Sequence, residues 1–143
     1  MSAEQEQPGR RGFVPEGEVV TRGEGGRVSQ RANFRGGVLE GESVIYDEDG
    51  QVVQRATFKG GVLEGPMVAY GRGRPLAKSH FKGGRLEGES VTYGEDGGVV
   101  MRATYRAGKL DGDAVWYDKE GRVSWRLPDS LRQRLKALSQ PPK

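Results

Sequence analysis

The chain has 143 residues, a formal net charge of +3 and no cysteine, which is the length of one domain and excludes disulfides, thiolate nucleophiles and cysteine-bound zinc. Its 23 basic and 20 acidic residues are interleaved rather than gathered into blocks, so no nucleic-acid partner is expected. The opening "MSAEQEQPGRRG" lacks the apolar middle of a signal peptide and no apolar run reaches membrane-spanning length, so a cytoplasmic location is expected.

Residues 1–12 read as a disordered N-terminal tail. A repeat begins at residue 13. "VPEG" closes on Gly17, and the glycine of "LEG" or "LDG" follows at Gly41, Gly65, Gly88 and Gly112, in steps of 24, 24, 23 and 24. The aromatic residue ahead of each phrase keeps the step at Phe34, Phe58, Phe81 and Tyr105, and so does the tyrosine behind it at Tyr46, Tyr70, Tyr93 and Tyr117. Residues 13–127 are thus five copies of one supersecondary unit. Each copy holds two short stretches rich in Val, Thr, Tyr and Phe, bounded by glycine turns and too short for helices, which predicts a β-hairpin.

Gly36-Gly37 and Gly60-Gly61 suit a two-residue turn with positive φ, and "DEDG" at 47–50 suits the wider turn to the next hairpin. Alternation sets Ala56 and Phe58 on one face and Arg55 and Thr57 on the other. The Ala/Phe face is expected to be the core, with the leucine of "LEG" at its edge. Val44 and Tyr46 are expected to join that face through a bulge near Gly41. One unit cannot fold alone: ordering each residue costs roughly 1–2 kcal/mol, whereas each large buried side chain returns about 1.5–3 kcal/mol. The units must therefore stack into an elongated, single-layer, all-β antiparallel meander of about ten strands.

Over 128–138, Asp129 or Ser130 can N-cap a short helix with Leu131, Leu135 and Leu138 on one face. It is expected to cap the sheet by packing on it, with membrane contact as the alternative. Residues 139–143 read as a flexible tail.

The phrases "FKGGVLEG" with "VAY", and "YRAGKLDGDAVWYDKEG", resemble the MORN repeat, particularly its bacterial second variant. The resemblance implies a β-hairpin solenoid. Through the YwqK-type antitoxins it also implies a protein that neutralises a toxin encoded beside it, while other MORN proteins are scaffolds or attach to acidic phospholipids. It offers no catalytic residue. The chain departs from the pattern at Arg22, where tyrosine belongs, and at Pro75, which replaces a strand valine and is expected to interrupt or bulge that strand.

His80 is the single histidine and takes an outward position held by Thr57 and Thr104 in sibling units. Without a cysteine or a second histidine it reads as a surface residue, and neither an enzyme nor a cofactor is expected. The acid pairs Glu40/Glu42, Glu87/Glu89 and Asp111/Asp113 read as solvent-facing turn residues of the repeat rather than as a metal site. A cation recurs on the non-core face at Arg31, Arg55, Lys78, Arg102 and Arg126. This row reads either as cross-strand ion pairs (Arg31–Glu42, Lys78–Glu89, Arg102–Asp113) or as a strip docking an acidic partner.

Pro66 interrupts the acidic series opposite Arg55, so that arginine is expected to be free. Ile45 and Trp116 are expected on the outward face, Trp116 either covered by the terminal helix or serving as an interface anchor. Ile45, Arg55, Lys78, Arg102 and Trp116 are therefore the expected partner-binding residues. The expected partner is a toxin or effector protein, with an anionic phospholipid surface or a homodimer as alternatives.

Overall fold

Each Gly-Gly pair reverses the chain by adopting a conformation that most residues avoid. Gly36 and Gly37 have φ of 58° and 84°, and Gly60 and Gly61 have 59° and 83°, the positive values that a two-residue hairpin of matching twist requires. Ala107 takes the first turn position at φ 52°, where its Cβ meets the following carbonyl oxygen. Relief of that strain exceeds the added freedom of the unfolded chain, so Ala107→Gly is expected to stabilise by about 0.5–1 kcal/mol. Calorimetry should record a Tm about 2 °C higher, and a lower Tm would refute a strained turn.

The computed structural model describes residues 3–4 and 12–138. The two-residue turns join β3 (Val28–Arg35) to β4 (Val38–Tyr46), β5 (Val52–Lys59) to β6 (Val62–Gly71), and β10 (Val99–Arg106) to β11 (Lys109–Tyr117). In the remaining unit, β7 (Arg74–Lys82) turns into β8 (Arg85–Leu86) and continues as β9 (Gly88–Tyr93). β2 (Gly17–Arg22) and β12 (Val123–Arg126) flank these hairpins, and β1 (Ala3–Glu4) pairs in parallel with β2.

All other neighbours are antiparallel, and the strands follow one another in chain order as a single open meander. The C-terminal helix, α1, spans Asp129–Leu138. The tails expected over 1–12 and 139–143 lie outside the described residues, apart from Ala3–Glu4 and Gly12. β7 runs through Pro75, which faces Tyr70 beside a register shift at Ala69/Tyr70, so the strand is bulged and not interrupted.

The bulge expected near Gly41 is present, and its size decides which side chains face which way. Ala32 pairs with Ser43 and Phe34 pairs with Leu39, so Glu40, Gly41 and Glu42 stand opposite Asn33 alone. The same three-against-one arrangement recurs around Gly65 and Gly112. Two added residues preserve the two-residue alternation of a strand, whereas one would invert it. Ile45 therefore stays on the Phe34 face, and Val44 falls on the face of Arg31. This corrects the expectation that Val44 and Tyr46 join the Ala/Phe face.

A single layer has no second sheet to cover it, and its interior is two thin rows instead of one core. Ala32, Ser43, Ala56, Ala103 and Ala114 are buried on one face, and Val20, Val44, Val91 and Val115 on the other. Small residues disappear beneath their larger neighbours, while Phe34, Phe58, Phe81 and Tyr105 remain half-buried. Neither row could be closed by one hairpin alone.

Candidate interaction surface

The two acids of each "LEGE" phrase have separate tasks. The first clamps the next hairpin: Gly60 N–H donates to Glu40 Oε2 at 2.6 Å, and Gly61 N–H donates to the Leu39 carbonyl at 2.9 Å. Glu16, Glu64 and Glu87 accept in the same way from Gly36, Gly83 and Ala107 at 2.6, 2.6 and 2.7 Å. Each unit thus holds two otherwise unsatisfied turn N–H groups of its successor, one through a charge-assisted bond. Sequence reading recognised Glu40 and Glu87 as turn residues, passed over Glu16 and Glu64, and missed the clamp, whose signal is the spacing from each glutamate to the next turn.

The second acid pairs with the next cation. Arg55 meets Glu42 at 3.0 Å, Arg102 meets Glu89 at 2.6 Å, Arg31 meets Glu18 at 3.1 Å, and Arg126 meets Asp113 at 3.3 Å. These contacts cross between hairpins, not within them as Arg31–Glu42, Lys78–Glu89 and Arg102–Asp113 would. The bulge is the cause, because it sets Arg31 opposite Val44, while the ladder to the following hairpin sets Glu42 opposite Thr57 and diagonal to Arg55. The expectation that Arg55 is free is corrected for the same reason.

Pro66 instead leaves Lys78 without a carboxylate among the described residues. Val68 pairs with Lys78 and Pro66 with His80, and the lysine Nζ lies over the Tyr93 ring, 5.9 Å from its centroid. Val68 is half-buried where Val44, Val91 and Val115 are buried. The cover over the valine row is thinnest at this point.

The five expected partner-binding residues do not share one surface. Arg55, Lys78 and Arg102 stand on the valine face, whereas Ile45 and Trp116 are half-buried on the alanine face. Trp116 packs beside the Ala103, Ala114 and Leu127 cluster and meets Trp125 edge-on, with ring centroids 4.8 Å apart. Trp125 is 47% exposed. Sequence reading missed it, although it occupies the same face on the last strand.

The helix is tied to the sheet through Arg132, which donates to Asp113 at 2.8 Å and also pairs with Asp129. The Leu138 side chain lies outside the described residues, and Leu131 and Leu135 are 41% and 46% exposed, so these two do not pack closely on the sheet as expected. Leu127 does so instead, through its side chain and an N–H bond to the Ala114 carbonyl at 2.9 Å.

No family model matches the chain, and no curated protein matches it. Among solved structures the chain is similar to "Crystal structure of GtfA/B complex bound to UDP and GlcNAc", at 17% identity and a TM-score of 0.34, over 90% of this chain and 28% of that one. At that similarity neither architecture nor activity transfers.

Proposed function

We propose that this protein is a non-enzymatic binding module of the MORN type that neutralises a cognate toxin in the cytoplasm by steric occlusion. The single open sheet carries this reading, because an uncovered layer offers two broad faces. About 800 Å² of either would suffice for a specific complex. Occlusion needs complementary shape and charge, and no chemistry. The resemblance to YwqK-type antitoxins supplies the class of partner.

Capture from the native host, with the product of the adjacent gene supplied, should recover a stoichiometric protein partner and relieve its toxicity. Recovery of no partner discards the reading. A second reading, attachment to an anionic membrane, is favoured by the exposed Leu131 and Leu135 beside Arg134 on α1. Salt-sensitive co-sedimentation with phosphatidylserine vesicles separates the two.

A further inference from the structure

The valine face carries one column of bases that no acid neutralises among the described residues. On β7, alternation places Lys78, His80 and Lys82 on that face at every second residue, and Arg85 pairs with Lys82 across the hairpin. All four are exposed. In sibling strands the same positions read Arg55, Thr57, Lys59 and Arg102, Thr104, Arg106, with Glu42 and Glu89 inserted between the columns.

In the third unit the glutamate is Pro66 and the threonine is His80. The carboxylates on flanking segments are committed elsewhere: Glu64 to Gly83 N–H at 2.6 Å, Glu87 to Ala107 N–H at 2.7 Å, and Glu89 to Arg102 at 2.6 Å. Among the described residues, none of Lys78, His80, Lys82 and Arg85 has an acidic partner.

The geometry points to a docking column for an extended acidic segment of a protein partner, with carboxylates at alternate residues. Bases two apart on a strand are spaced by roughly 6.8 Å, the same repeat as alternate side chains of an extended ligand. The column is roughly 14 Å long from Lys78 to Lys82. Glu89, on the adjacent β9, is bound to Arg102 at 2.6 Å, and the paired arginines Arg55 and Arg102 lie two strands away on either side, roughly 10 Å off. A single peptide fits between them. A flat anionic bilayer would meet Glu42 and Glu89 as well, and their repulsion cancels much of the attraction. Val68, on the neighbouring strand, is only half-buried, which provides apolar contact beside the charges.

This inference deepens the protein-binding reading, and its test needs no knowledge of the partner. The probe is a blocked (Glu-Ser)3 peptide, with (Gln-Ser)3 as its control, titrated into the full chain and followed by amide NMR shifts. Shifts should centre on Val68, Lys78, His80 and Tyr93 for the glutamate peptide and be absent for the glutamine peptide. Pro66→Glu restores the carboxylate of sibling units and is expected to weaken binding about fivefold or more, the size of one or two exposed ion pairs. Lys82→Gln should weaken it in the same direction without touching Pro66.

Shifts spread over Arg31, Arg55 and Arg126 alike, or unchanged by Pro66→Glu, overturn the docking column. So does binding to phosphatidylserine vesicles that Pro66→Glu abolishes while the peptide stays inert. A captured host protein held equally by wild type and Pro66→Glu refutes the column yet leaves the binding-module reading standing. Failure to capture any partner, with the peptide response intact, refutes that reading alone.

Discussion

Replacing Gly65 by alanine is expected to destabilise the protein by about 2 kcal/mol, because the bulge holds that residue at φ +106°, where L side chains are strained. Space is not the obstacle: a Cβ there would meet Thr57 Cβ at 3.6 Å, an ordinary contact. Gly112, at φ +110° with Thr104 Cβ at 3.6 Å, should behave alike. Gly23→Ala is the control, since its φ is negative and its Cβ would meet only Ser29 Cβ at 3.8 Å; a change within about 0.5 kcal/mol is expected. Urea unfolding distinguishes them by midpoint at constant slope. Equal costs for Gly23→Ala and Gly65→Ala would remove the three-against-one bulge as the element that fixes the faces.

Glu40→Ala is expected to cost about 1–2 kcal/mol, and Glu42→Ala less than about 1 kcal/mol. The two acids are separated by one residue and carry the same charge. They differ in what they hold: Glu40 is half-buried and satisfies a backbone N–H at 2.6 Å, while Glu42 is exposed in an ion pair with Arg55 at 3.0 Å. Removing Glu40 leaves the Gly60 N–H without its acceptor, so hydrogen exchange at Gly60 should accelerate in Glu40→Ala and not in Glu42→Ala. Unchanged exchange at Gly60 would show that the clamp contributes nothing. Glu40→Gln, which keeps an acceptor and loses the charge, should fall between.

The hairpins were legible because their signals are local: a glycine pair at a fixed step, and alternation over a handful of residues. The facing of the second strands was not. Alternation reports a parity, and near Gly41 the parity depends on how many residues the bulge absorbs, which either an alanine row or a valine row could accommodate. One wrong count moved Val44 to the other face and shifted every ion pair by one ladder, so the unpaired member of the Arg31–Arg126 cation row was sought at Arg55 when, among the described residues, it stands at Lys78. The helix shows a different limit. Its leucine spacing predicted an apolar stripe, but periodicity cannot say what covers a stripe, and Arg132 and Leu127 provide the attachment instead. Trp125 was overlooked because its strand is only four residues long and carries no "LEG" phrase.

The clamp between successive turns gives the molecule two unlike margins. Along the Gly-Gly margin each corner is stitched to the next through main-chain hydrogen bonds, whereas along the other margin only the Arg27–Glu48 and Arg74–Glu95 side-chain contacts bridge neighbouring corners among the described residues. Changes of chain length have a single outlet as a result. The one shortened repeat already takes it at Gly71–Arg74, and foreign peptides spliced at 48–50 or 119–121 would be carried as passengers, while the same graft at 60–61 would unpick the seam on which the stacking of hairpins relies.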